Sequence, residues 1–447
     1  MSTPTPPGGP DGTGTSRVPG ESGAPGAPAR RPPTRSRSRA RSRPGRFALF
    51  RRPDFLRIWL AGGFSGTIRW LETLAIGLYT FHETGSPFLV TVMLFARTLP
   101  SMLIGAPAGA LAARFDRKRL LAINFAVLTV TAAVLFALAH TGRLELWHVA
   151  AGAVLSGCTW AMDHPVRRTL LGEIAGNRRL AVAMSLDMAT VHATRAIGPI
   201  AGGALLHWHG IAGVYALAIV LNGASFLNAT RLRHRSRREV PSRTLRFARI
   251  LSDGIAFVRG NPVVLAVLTV TLIVNLFGFS YVSIAPVIGE EVLGLDPVRV
   301  GFMMATEGLG AFLGSLALAT FVRPSWYRPV YGAGAAGFLA MVFLFSLSTW
   351  FAASLPILFV AGLAVSGFAA MQGTLLMHGT PPDMRSRVMG LLTLSIGFAP
   401  LGILLVGALS EWIGPARTLT VTSLTGLATL AAATLVWPRS RPAAGQP

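Results

Sequence analysis

The stretch "GALAARFDRKRLL", residues 109–121, closes one apolar run, turns through Arg114, Arg117, Lys118 and Arg119, and opens a second apolar run. Whether the flanking runs are core helices or membrane spans decides the fold. With 51% hydrophobic and 13% charged residues and a mean hydropathy of +0.53 over 447 residues, the chain carries more apolar surface than soluble domains bury. Lipid must solvate it.

Apolar stretches of spanning length recur at roughly 56–81, 87–112, 119–139, 146–170, 182–206, 211–230, 263–286, 298–321, 329–349, 354–377, 387–409 and 416–437. Connections after odd spans, such as "HETGSP" (82–87) and "HWHG" (207–210), are poor in arginine. Those after even spans, such as "RFDRKR" (114–119) and "RLRHRSRREVPSRTLRFAR" (231–249), are rich in it. Of the 41 basic residues, 35 fall in the tails and even-to-odd connections, and only Arg143, Arg299 and Arg417 fall on the opposite face. The positive-inside rule then predicts a multi-pass protein of the cytoplasmic membrane with both termini in the cytoplasm. A net charge of +23 would otherwise suggest nucleic acid, but arginines strung along one membrane surface form no folded basic face, so no nucleic-acid partner is expected.

Residues 1–50, dominated by Pro, Gly, Ser, Thr and Arg, read as a disordered cytoplasmic tail whose arginines suit anionic lipid or simply solvent. Residues 438–447 read as a second tail. Cys158 is the only cysteine, which excludes an intrachain disulfide and a cysteine-built metal site. Two internal matches indicate a duplication. "GAPAGALA" (105–112) pairs with "GAFLGSLALA" (310–319) through Gly105/Gly310 and Gly109/Gly314, and "GALLHWHGIA" (203–212) pairs with "GALSEWIGPA" (407–416) at nearly the same offset. The predicted fold is an all-α membrane protein of twelve transmembrane helices in two pseudo-symmetric six-helix halves, 51–230 and 263–437, joined by a cytoplasmic linker, 231–262. A substrate site is expected between the halves near the midplane.

The opening stretch resembles the conserved loop between the second and third helices of the major facilitator superfamily, with Ala113 in place of the usual aspartate and Asp116 in place of a glycine. Asp116 is the candidate to take over part of the aspartate's role. "RAIGPIAGGALL" (195–206) carries Gly198, Pro199, Gly202 and Gly203, and resembles the antiporter motif of that superfamily's drug and proton exporters; a plain packing seam reads equally well. "TGSP" (84–87), "MDHPVRRTLLGEI" (162–174) and "RSRVMGLL" (385–392) look like the branch with the enterobactin exporter and macrolide-efflux proteins. That resemblance implies a secondary transporter, not an enzyme, driven by the proton gradient without a cofactor or metal. It implies a small amphipathic cargo, either a natural product, a siderophore-like molecule or a drug, and a monomer. Alternatives are lysophospholipid flipping or solute uptake on the same fold, or a non-transporting sensor or assembly factor.

Charges within spans are costly and mark candidate function. Spans 3, 6, 9 and 12 have none away from their ends; the others hold Arg69, Glu72, Arg97, Asp163, Asp187, Arg195 and Glu307, with His192 on the face of Arg195. Arg69 and Glu72 share a helix face, and Arg97 lies at similar depth in the next span, so Glu72 is expected between two arginines. Arg69 is then the better candidate for touching an anionic or phenolic substrate, the alternative being a structural ion pair. Glu307 has no basic residue at i±3 or i±4 and is the preferred proton carrier. Asp163 and Arg167 are expected as an i,i+4 pair at the cytoplasmic end of span 4. Asn222, Asn275 and Gln372 are candidate polar cavity residues.

Overall fold

The computed structural model describes residues 49–112, 115–176, 179–234, 247–381 and 384–436, all helical or in short connections between helices. Residues 1–48, the expected C-terminal tail, Arg114 and residues 235–246 of the expected linker lie outside the described residues. Leu49 is buried and Phe50 packs edge-on against Phe55 and Trp59, so packing already involves the last two residues of the stretch read as a tail.

The helices are α1 (Pro53–Thr84), α2 (Pro87–Ala112), α3 (Arg117–His140), α4 (Leu146–Ala175), α5 (Leu180–Thr230), α6 (Phe247–Gly260), α7 (Pro262–Ile273), α8 (Tyr281–Val287), α9 (Pro297–Phe321), α10 (Tyr327–Ser346), α11 (Phe351–Gly379), α12 (Arg385–Gly397), α13 (Ala399–Ile413) and α14 (Pro415–Val436). Their ends follow local chemistry. Pro53 at the first position starts α1 and Gly85, at φ 63°, ends it with its amide on the Phe81 carbonyl. Asp116 caps α3 by accepting from the Lys118 and Arg119 amides, and Asp296 caps α9.

At about 1.5 Å per residue, the 51 residues of α5 would extend roughly 75 Å, more than twice the hydrocarbon core. Gly210, at φ 62° and ψ −165°, breaks the helix, so its two arms are separate passes. The seventh pass is composite: α7 and α8 are continued by π-helical segments at Val274–Gly278 and Ile288–Val292. Counting α5 twice, α7 with α8 once and α12 with α13 once, and leaving out the 14-residue α6, gives twelve passes among the described residues. Among the described residues, seven stretches are long and apolar enough to cross a membrane, one of them the double-length Val182–Thr230. α1 and α4 carry intramembrane charges that lower theirs. α6, an amphipathic helix within the expected linker, lies against α12, with Gly254 facing Leu391 and Arg387.

The duplication is visible in the packing. Gly157 of α4 meets the Arg97 backbone of α2, and Gly362 of α11 meets the Glu307 backbone of α9, so each half contains the same close helix pair. The largest apolar cluster is shared between halves, running from Leu71, Leu74 and Leu78 of α1 to Tyr281 and Ile284 of α8 and Phe338 of α10. A second cluster, built on Phe55, Ile58, Phe125 and Leu170, belongs to the first half alone and lies toward the arginine-rich face.

Candidate functional site

The halves are fastened at the arginine-poor face. His82 at the end of α1 meets Glu290 at 2.5 Å, and Glu411 at the end of α13 accepts from Ser86 Oγ at 2.9 Å and from the Phe88 amide at 3.3 Å. Inside this rim, the Gly-Pro-x-x-Gly-Gly stretch of α5 presents two faces. A Cβ on Gly198 would lie 2.6 Å from the Trp70 Cβ, and one on Gly202 would lie 2.8 Å from the Leu71 carbonyl, so both press α5 onto α1 of the same half. Gly203 instead abuts the Pro297 backbone, and a Cβ on Gly301 would lie 2.5 Å from the Pro199 carbonyl, so the opposite edge presses α5 onto α9 of the other half.

Below this seam an Arg–carboxylate pair crosses between the halves. Arg195 of α5 grips Glu307 of α9 with both faces of its fork: Nε to Oε2 at 2.9 Å, and Nη2 to Oε1 and Oε2 at 2.5 Å each. Both residues are buried. Glu307, with no base at i±3 or i±4 on its own helix, is supplied with one from 112 residues away. The Arg195 guanidinium also lies 4.7 Å from the Trp70 ring and 5.9 Å from Phe279, and a small cavity beside it is lined by Tyr281, Met303 and Met304. His192 reaches across the same junction to Ser315 at 3.2 Å.

A second charged group is internal to the first half. Arg97 of α2 donates to Glu72 Oε2 at 3.0 Å, to the Arg69 carbonyl at 3.1 Å and to Thr73 Oγ1 at 3.1 Å. Glu72 therefore has one close arginine. Arg69 takes a different partner: its guanidinium carbon stands 4.3 Å from the Trp160 ring of α4. Among the described residues it has no carboxylate within ion-pair distance, and it borders a cavity of about 20 Å³ within the half, not the junction between halves.

Toward the arginine-rich face, the expected Asp163–Arg167 pair is loose, with Nε to Oδ2 at 3.8 Å. Arg167 turns instead to Asp187 of α5, Nη1 to Oδ1 at 2.6 Å, and Arg168 reaches the other Asp187 oxygen at 3.3 Å. The difference is one of reach: α5 presents Asp187 directly to the fork, whereas Asp163 sits one turn back on the same helix. In the motif loop, Asp116 uses its carboxylate on the α3 cap, and the acid that pairs with Arg117 is Glu173, which His234 also meets at 3.3 Å. Lys118 donates to the Leu232 carbonyl at 2.6 Å, and Arg119 lies in the first turn of α3. Gly105 and Gly109 lie in the last turns of α2, and Gly310 and Gly314 face α11.

Asn275 donates to the Thr271 carbonyl at 2.8 Å and Gln372 to Thr271 Oγ1 at 2.7 Å, with Tyr331 on the same hydroxyl at 3.2 Å. These two form a hydrogen-bonded knot inside the second half. Asn222 borders the same internal cavity as Arg69. Trp160, Asn124, Tyr281 and the Glu290 and Glu411 clamps escaped the sequence reading. Glu290 and Glu411 were legible as carboxylates next to arginine-poor connections; for Trp160 and Asn124 nothing in the local sequence signals their partners.

The sequence profile of the Major Facilitator Superfamily matches residues 58–401. The staphyloferrin A transporter of Staphylococcus aureus is 21% identical over 81% of this chain and 90% of its own length. Macrolide efflux protein A of Streptococcus pyogenes is 23% identical over 80% and 90%. A bacterial homolog of the human lysosomal transporter Spinster, crystallised in an inward-facing and unoccupied conformation, superposes with a TM-score of 0.69 at 14% identity, covering 88% of this chain and 98% of that one.

Proposed function

Because the chain belongs to the major facilitator superfamily, and is therefore a multi-pass membrane transporter and not an enzyme, we propose that it exports a small amphipathic compound in exchange for protons. The halves 51–230 and 263–437 are the moving units and 231–262 their tether. The arginine-rich face is cytoplasmic by the positive-inside rule, so the fastened face is extracellular and both termini are cytoplasmic. The molecule acts as a monomer in the cytoplasmic membrane, with anionic lipid as a neighbour of the N-terminal tail and the proton gradient in place of a cofactor.

The observation that carries this reading is the Arg195–Glu307 pair. A buried carboxylate that ties one half to the other is a group whose charge state bears directly on whether the halves stay together. The deprotonated pair, bordered by Trp70, Tyr281, Met303 and Met304, takes the cargo; a proton added to Glu307 cancels its charge, loosens the tie and disfavours the cargo, so that the two load in turn. Loss of the proton to the cytoplasm remakes the tie and resets the cycle. Arg195 is the better-placed contact for cargo, since it stands at the junction between the halves, whereas Arg69 borders a cavity enclosed within one half. The names of the relatives, one a siderophore transporter and one a macrolide efflux protein, support an amphipathic cargo class.

The test uses cells expressing the protein and three probes: a macrolide, tetracycline and staphyloferrin A. At least one is expected to accumulate less in expressing cells, with the difference abolished by a protonophore and by Glu307→Gln at equal membrane abundance. Export that ignores the protonophore removes proton exchange from the reading; normal export by Glu307→Gln removes this carboxylate from it.

A further inference from the structure

The cavity inside the first half is enclosed by α1, α2, α3, α4 and the second arm of α5, away from the junction with the other half. Four of the side chains that line it are more than nine-tenths buried and hold polar atoms with no hydrogen-bond partner in the protein. They are Asp163 (both Oδ atoms), Arg97 (Nε), Asn124 (Nδ2) and Asn222 (Oδ1). Unsatisfied buried polar atoms are rare singly, and five that converge on one space need a common occupant. Its volume of about 20 Å³ exceeds the ~10–15 Å³ that a water requires, and the lining offers more than the two to four partners that a bound water uses. The partners are mixed. Carboxylate and amide oxygens accept, whereas Arg97 Nε and Asn124 Nδ2 donate, an arrangement that water satisfies and that neither a cation nor an anion does.

We propose that this cavity is a hydrated proton-binding site within the N-terminal half: water held by Arg97, Asn124 and Asn222 connects to Asp163, whose carboxylate takes up one proton. The step needs no co-reactant. A hydronium proton forms an O–H bond at one Asp163 oxygen and leaves water behind. Three arginines and three carboxylates surround the site, Arg69 and Glu72 half-buried and the other four buried. Arg69 and Glu72 stand on α1, Arg97 on α2, Asp163 and Arg167 on α4, and Asp187 on α5, with His164 and the more exposed Arg168 beside them on α4. Of the carboxylates, Glu72 has the Arg97 fork and Asp187 has Arg167 and Arg168. Asp163 is left with a contact at 3.8 Å, and is the one whose proton the water can exchange without breaking a close ion pair. This site is separate from the Arg195–Glu307 tie and does not depend on the cargo.

Infrared difference spectra between acidic and neutral pH, recorded on the purified full-length protein in phosphatidylcholine nanodiscs, test it. The wild type is expected to show a carboxylic-acid C=O band that shifts in D2O, that Asp163→Asn abolishes and that Glu307→Gln retains. Asn222→Leu keeps every carboxyl and fills the cavity with methyl groups; it is expected to move the titration midpoint by about one pH unit or more, a tenfold change in proton affinity. Spectra from which Asp163→Asn removes no band, an Asp163 band unmoved by D2O, or an Asn222→Leu protein in which that band titrates as in wild type overturns the proposal. None of these readings requires transport, so the export reading stands or falls on its own assay.

Discussion

Substituting Gly301 by alanine puts one methyl group on the seam between halves. Its Cβ would lie 2.5 Å from the Pro199 carbonyl oxygen and 3.1 Å from its carbon, both main-chain atoms that no rotamer change can move. Ordinary contact begins at 3.4 Å, so α5 and α9 must part locally by about 0.9 Å. Overpacking of this kind costs about 1–3 kcal/mol. Because the strain exists only while the halves are closed at this face, the cost shifts the ratio of open to closed forms by roughly 5- to 150-fold. Spin labels at Glu83→Cys and Trp412→Cys, on a Cys158→Ser background, read this as growth of a longer distance between the rims of the two halves. The control is Gly198→Ala, where the added Cβ would lie 2.6 Å from the Trp70 Cβ within one half. It should lower thermal stability and leave the rim distance alone. A Gly301→Ala distance distribution identical to wild type would refute the seam as the closure surface.

Three further outcomes are expected. His82→Ala removes a rim pair whose side chains are 46% and 28% exposed, so it should raise the open fraction by no more than about fivefold, the equivalent of ~0–1 kcal/mol, and less so at high salt; a larger effect in the same label measurement contradicts this estimate. Gly157→Ala drives a methyl into the Arg97 backbone between α4 and α2, and should reduce stability by about 1–3 kcal/mol in detergent thermal unfolding without changing the rim distance. Trp160→Leu strips the aromatic face from Arg69 and should cost about 0.5–2 kcal/mol, most of it missing when the substitution is repeated on an Arg69→Leu background; strict additivity in that cycle would show the contact to be idle.

The spans and their order were legible because each pass is a long apolar run, and the two internal matches set the period of the duplication. Individual charges were legible only where depth settles the partner. Glu72 and Arg97 lie near the middle of consecutive antiparallel passes, so their meeting follows from counting residues, and they bond at 3.0 Å. Arg195 and Glu307 lie 112 residues apart on helices of different halves, and no spacing rule on either helix reveals that pairing. The same holds for Arg69, whose ring partner comes from α4. An i,i+4 rule paired Asp163 with Arg167, and the interhelical competitor Asp187 won because it meets the fork head-on. The linker helix α6 was present as apolar periodicity within "FARILSDGIAFVRG", masked by the arginines around it.

The two-faced edge of α5 has a mechanical consequence. On its α1 side the glycines key into a side chain and backbone of the same half, which makes the two helices one rigid strut. On its α9 side the contact is main chain against main chain at Gly203, Pro199 and Gly301, a bearing with almost no side chains in it. A bearing of that kind has no chemistry to match against a cargo. Under the proposed export, substitutions at Trp70, Met303 or Met304 would retune what is carried while the seam keeps its shape, so a lineage built on it could change its cargo without redesigning its motion.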